Sequence, residues 1–215
     1  MSSKFIVQFC VVTTLAIGLA HAATADSITN GDFSTGDLSG WTVFTTNGPG
    51  SNGPGYPTVS SFNVTGAGSQ NAAEFEDGND PGVQSGGGLT QAVTITDGGL
   101  ETFTADVAAS GGDQDGSDFS LLVNGVSIAS WDTGPISSGT DRDVLSGTYD
   151  FTTPGTYDLS VLVTRAAVSG VPREYVTNIS LTATPEPSSV TGLAAGLIIL
   201  SGMLLVRRRS LKISN

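Results

Sequence analysis

The 215-residue chain predicts an all-β fold: a jelly-roll-like antiparallel β-sandwich, flanked by an N-terminal signal peptide and a C-terminal single transmembrane helix. Three observations carry this. Between the ends, apolar residues alternate in short runs among Gly, Ser, Thr and Asp, the period-2 pattern of half-buried strands. Turn clusters separate the runs, and no 3.6-residue periodicity persists before Val190. Only the two termini hold long, uncharged, mainly apolar stretches, Phe5–Leu19 and Val190–Val206.

The candidate strands, in order, are Trp41–Thr45, Thr58–Thr65, Ala72–Glu76, Leu89–Thr96, Thr102–Ala109, Asp118–Val123, Val126–Asp132, Val144–Thr152, Tyr157–Arg165 and Tyr175–Ala183. The turn clusters are Asn47-Gly48-Pro49-Gly50, Asn52-Gly53-Pro54-Gly55, Asp77-Gly78, Gly86-Gly87-Gly88 and Pro154-Gly155. The strongest hairpin signal is Asn124-Gly125 between two alternating runs. Pairing Val123 with Val126 puts Phe119, Leu121, Val123, Val126, Ile128 and Ser130 on one face, which reads as core. Asp118, Ser120, Leu122, Ser127, Ala129 and Trp131 fall on the other. Trp131 beside Asp118 and Ser120 is a candidate glycan contact: a ring meets the apolar face of a sugar, and an acid accepts from its hydroxyls. The alternative is a loop covering Trp131.

At the N-terminus, Lys4 precedes an apolar run from Phe5 to Leu19, then Ala20-His21-Ala22 and Ala23-Thr24-Ala25. That is the form of a secretory signal peptide, residues 1–25, with cleavage after Ala22 or Ala25. At the other end, Val190 to Val206 carries no charge and spans about 25 Å as a helix, enough with its flanks for a membrane. Arg207, Arg208 and Arg209 follow it and belong on the cytoplasmic side. Ahead of it, Pro185 and Pro187 hold an extended stretch, open to a processing enzyme. A permanent single-pass anchor is the alternative.

The sandwich domain, 26–183, holds all but one of the twenty acidic residues and only Arg142, Arg165 and Arg173 of the eight basic ones, in a chain of net charge −12. Such a surface repels nucleic acid and anionic lipid, and suits neutral glycans or divalent cations. Cys10, His21, Lys4 and Lys212 all lie outside it. The domain therefore has no Ser-His-Asp triad, no thiol nucleophile, no His or Cys zinc site and no Schiff-base lysine. A glycoside hydrolase needs only two carboxylates about 5–9 Å apart, and Glu74, Glu76 and Asp80 are its candidates. They sit among Gly-rich turns with little apolar surface to raise a pKa, so the expectation is a protein that is not an enzyme.

The acids of "GGDQDGSDFS", Asp113, Asp115 and Asp118, alternate around a glycine as in half of a calcium loop, without the bidentate Glu of an EF-hand. They are candidate Ca²⁺ ligands; a solvated Asp-Gly turn is the alternative.

Two resemblances rest on these residues. Thr184-Pro185-Glu186-Pro187-Ser188-Ser189, the apolar helix 190–206 and Arg207-Arg208-Arg209 resemble the PEP-CTERM sorting signal of Gram-negative bacteria, here residues 184–215. That resemblance implies recognition by an exosortase, passage through the inner membrane, and delivery to the cell surface or extracellular polysaccharide. "ITNGDFSTGDLSGWTV" (28–43) resembles the start of carbohydrate-binding-module-like jelly rolls, as do Leu89–Val93, Leu121–Gly125 and Tyr175–Thr182. It implies a polysaccharide partner, with Trp41 as a packing residue. Relatives hold a structural Ca²⁺ with an acid after the opening Phe and an Asp in the closing strand. Here those positions are Ser34 and Thr177-Asn178, which puts that site in doubt; Asp32 and Asp37 are the nearest substitutes. A coat protein without a small ligand is the alternative to glycan binding.

Overall fold

The structure is a computed structural model that describes residues 27–46, 52–77, 84–112, 116–166 and 173–184. Its ten described strands are β1 (Thr42–Thr45), β2 (Thr58–Phe62), β3 (Gln70–Phe75), β4 (Gln84–Ile95), β5 (Gly99–Ser110), β6 (Asp118–Val123), β7 (Val126–Asp132), β8 (Thr140–Phe151), β9 (Gly155–Ala166) and β10 (Arg173–Ala183). They form two antiparallel sheets, ordered β1-β4-β9-β6-β7 and β2-β3-β10-β5-β8. Each of the ten runs expected from alternation is a strand. The signal peptide, the Pro-Glu-Pro motif (Pro185, Glu186, Pro187), the helix 190–206, Arg207–Arg209, Asp80, Asp113 and Asp115 lie outside the described residues.

The core lies between the sheets. Phe75, Phe103 and Phe151 from one sheet meet Leu89, Phe119, Leu121, Val161 and Val163 from the other, all essentially without solvent contact. The opening segment straps onto this core rather than adding a strand. Phe33 is buried, Trp41 packs beside it with ring centroids 6.2 Å apart, and the Trp41 indole N–H donates to the Asn30 carbonyl at 3.1 Å. The Gln91 side chain bonds Thr29 twice and the Gly40 carbonyl, tying the strap to β4. Trp41 is thus a packing residue, as expected.

Two features depart from the alternation reading. Gly86-Gly87-Gly88 is not a turn: it lies inside β4, paired with Thr164, Val163 and Leu162 of β9. Side chains there would collide with neighbours. A Cβ on Gly86 meets the Val163 carbonyl oxygen, and one on Gly88 meets the Val161 carbonyl oxygen and the Phe44 ring. The glycines are demanded by close approach, not by a turn.

The second departure is in the β6–β7 hairpin. Its turn is as expected, with Asn124 and Gly125 both at positive φ (48° and 78°), as a two-residue I′ turn requires. But the register shifts between Leu121 and Leu122, which face Ala129 and Ser127. Ile128 is the extra residue of a β-bulge. Beyond it every side chain changes face. Trp131 therefore sits opposite Phe119 and stacks on it, centroids 5.6 Å apart, packed against the core.

Candidate functional site

The bulge separates Trp131 from the two residues grouped with it in the glycan-contact reading. Asp118 and Ser120 stay on the outer face of β6, opposite Asp132 and Ser130, while Trp131 turns inward. What the outer face of this sheet presents is set by register, because opposed residues of an antiparallel pair share a face. One row across it reads Phe44, Gly88, Leu162, Ser120, Ser130. The next reads Gly86, Thr164, Asp118, Asp132, and on the far side lies Thr42, Thr90, Ser160, Leu122, Ser127.

The glycines shape this surface. With no side chain on Gly88, the Phe44 ring comes down onto the strand where a Cβ would be. Phe44 and Leu162 are both half-buried, so each leaves part of its apolar surface to solvent. Strands lie about 4.8 Å apart, which puts Phe44 and Ser120, three strands away, about 14 Å apart. An apolar patch of about one sugar ring is thus bordered by hydroxyls and amides.

The polar border is pre-ordered. The Gln84 amide donates to Asp118 Oδ2 at 2.5 Å and to Thr164 Oγ1 at 3.1 Å. The Ser160 hydroxyl donates to Thr90 Oγ1 at 2.8 Å, and the Thr90 hydroxyl donates to the Leu159 carbonyl at 3.4 Å. Asp118 is half-buried, and partial burial, with the Asp132 charge second, raises its carboxyl pKa above the usual value. Among the described residues this face has no cation: Arg165 is buried inside, and Arg142 and Arg173 pair with β5 residues on the other sheet.

The other sequence-predicted sites fare as follows. Of the acid loop, only Asp118 is described, and its Oδ2 takes the Gln84 amide. No three His, Cys, Asp or Glu side chains converge as a metal-binding group among the described residues. Near the opening segment, Ile28, Asn30, Gly31, Asp32, Asn178, Ile179 and Ser180 line an open depression of about 450 Å³. Asp32 there accepts from the Ser34 N–H, and Asp37 from the Thr35 hydroxyl and the Ser39 N–H. These bonds hold both carboxyls below the usual range. Thr177 donates to the Asn71 carbonyl, and the Asn178 amide donates to Asp106. Glu74 and Glu76 both pair with Arg173, whose guanidinium lies 4.7 Å over the Tyr56 ring.

No protein-family model matches the chain. No curated protein matches it either. Solved structures share its fold. An apo-form cyclase from Fischerella sp. superposes with a TM-score of 0.50 at 17% identity, over 75% of this chain and 97% of that one. The carbohydrate-binding module TmCBM61, solved with β-1,4-galactotriose, gives 0.48 at 16% identity, over 75% of this chain and 100% of that one. The CBM22-1–GH10 modules of Clostridium thermocellum xylanase 10B, complexed with xylohexaose, give 0.43 at 14% identity, over 75% of this chain and 28% of that one. At such identities the likeness is one of fold.

Proposed function

We propose that this is an exported surface or matrix protein whose sandwich binds neutral polysaccharide on the outer face of the β1-β4-β9-β6-β7 sheet. The observation that carries it is the Phe44 ring seated over Gly88, in one row with Leu162 and Ser120 and beside the Gln84–Asp118–Thr164 border. A ring and an aliphatic side chain meet the apolar face of a sugar, and fixed amides, hydroxyls and a carboxyl meet its hydroxyls. Asp118 and Ser120 keep the role read for them in the sequence; Phe44 takes the place of Trp131. An acidic face without cations among its described residues disfavours uronate or sulfated chains. In this reading the protein acts by binding; of the three acids a glycoside hydrolase would draw on, Glu74 and Glu76 are engaged by Arg173.

Delivery belongs to the tail. In this reading an exosortase recognises Pro185-Glu186-Pro187 after the helix 190–206 has entered the inner membrane with Arg207–Arg209 inside, and the sandwich goes to the cell surface or extracellular matrix. Intact mass of the mature protein from its native host tests this. A C-terminus near Pro187 supports sorting, and a mass that includes Asn215 refutes it. Binding is tested separately, by titrating the mature protein with the host's own polysaccharide and a neutral-glycan array. Affinity that falls at least tenfold in Phe44→Ala supports the site; equal binding by both proteins removes it.

A further inference from the structure

The outer face of the β2-β3-β10-β5-β8 sheet changes character along its length. Near the start of β10, Phe62 and Val64 pack over Tyr175, Ala72 and Ala108. Toward the end of β10 the face is open. Ser146, Thr148 and Thr182 are exposed there, and Val144 and Leu100 are 60% and 43% exposed. Alternation decides which residues stand on it. Phe103, Leu145 and Leu181 point into the core, so their neighbours along each strand point out.

Those neighbours carry hydroxyls, and the register sets them in ranks. Ser180, Thr104 and Ser146 lie side by side across β10, β5 and β8, and so do Thr182, Thr102 and Thr148. Members of a rank are about 4.8 Å apart, and the two ranks about 6.8 Å apart. Thr184 continues the pattern past β10. Its N–H donates to the Leu100 carbonyl at 2.9 Å, and its hydroxyl lies 3.2 Å from that of Thr102. The hydroxyls hold one another in place. Thr104 Oγ1 and Ser180 Oγ are 2.8 Å apart, and the Thr182 hydroxyl donates to the Thr102 carbonyl at 3.3 Å. Threonine is stiff at χ1, so its methyl is fixed when its hydroxyl is. No side chain in either rank is charged; Asp106 and Asp150 stand one step beyond them, opposite Val144 and Leu100.

Neither rank offers a sugar a ring to stack on or an anion a cation to pair with. What they offer is a two-dimensional repeat of methyl and hydroxyl. Water beside a methyl loses orientational freedom, and a hydroxyl anchors it by a hydrogen bond. An uncharged repeat of both is complementary to an uncharged lattice of water. We propose that this open part of the face binds ice: the ranks Ser180-Thr104-Ser146 and Thr182-Thr102-Thr148 hold a layer of water in lattice order, and that layer merges with the surface of a crystal. The activity is separate from glycan binding and lies on the other sheet from Phe44, so neither depends on the other. Because the hydroxyls and methyls are already fixed in the free protein, little side-chain entropy is lost when the layer forms.

The test uses the mature exported protein. Two quantities are read: grain growth in a frozen sucrose film held just below melting, and enrichment of the protein in ice grown slowly from its dilute solution. The expected result is slower grain growth than with an inert globular protein at the same concentration, and enrichment in the ice. Thr148→Tyr and Thr182→Tyr each raise a ring above a rank from an exposed position. They should leave the thermal midpoint unchanged and abolish both effects, while Phe44→Ala keeps them. A mature protein that neither slows the grains nor enters the ice overturns the proposal. So do effects that survive in either tyrosine variant, or that vanish in Phe44→Ala, which places them on the other sheet. Glycan binding that is lost in Thr148→Tyr also overturns it, by assigning the face to polysaccharide.

Discussion

The outer faces of the two sheets obey the same alternation but end differently. On the β2-β3-β10-β5-β8 sheet the outer face is roofed. Phe62 stacks flat on Tyr175 at 3.8 Å, Val64 is buried against Ala72 and Ala108, and the Arg142 Nε–H donates to the Asn63 carbonyl, pinning the segment down. Burial pushes the Tyr175 hydroxyl up to about 12. On the β1-β4-β9-β6-β7 sheet no described segment beyond β1 crosses in this way, and the outer rows hold Thr, Ser, Asp and Leu162 around Phe44. One face has become a second small core, and the other has kept its ring and its hydroxyls for solvent or a ligand. The Tyr175 ring is covered by a second ring, whereas the Phe44 ring lies over a glycine and keeps part of its surface open.

The contrast is sharpest where a substitution hits stability on one face and binding on the other. Tyr175→Ala removes the ring that the roof rests on, and it should cost about 3 kcal/mol in urea unfolding while glycan affinity at matched folded fraction stays the same. If affinity falls with it, the faces are not independent. Gly88→Ala pushes a methyl into the Val161 carbonyl and the Phe44 ring. It should cost about 1–3 kcal/mol, as overpacking does, and take glycan binding with it. An Ala variant that binds normally would break the link between the glycine and the site. Phe44→Ala should cost about 1 kcal/mol of stability but cut glycan affinity at least tenfold in a titration.

The smallest effect is electrostatic. The folded-state pKa of Asp118 is raised above its unfolded value, so ionising it costs stability. That cost grows as pH rises from the unfolded value near 3.8 through the higher folded one. Asp118→Asn should flatten the fall in thermal midpoint over that acid range, and an unchanged profile would remove the assignment.

Much of this was legible in the chain. β6 and β7 run between the very residues that alternation marks, because Asn124-Gly125 is a turn no other local structure competes for. Asp118 and Ser120 were readable as outward for the same reason. Trp131 was not, because a bulge is a property of a pair of strands. One residue, Ile128, is extra only in the pairing of β7 with β6, and its carbonyl lies against Gly147 within β8. Phe44 was passed over, since its short strand gives no hint of what lies beneath it.

The sequence by itself determined the strand set, the hairpin turn and the acidic and His- and Cys-free character of the domain, because each depends on composition or on residues near one another along the chain; the packing role of Trp41 came from the jelly-roll resemblance. Only the tertiary structure decided that Gly86-Gly87-Gly88 is a strand, that Trp131 faces inward, that Phe44 owns the open face, and that Asp77 and Glu174 are buried together. Those outcomes depend on contacts between residues up to 97 positions apart. There, close approach and desolvation act between partners that no local pattern names.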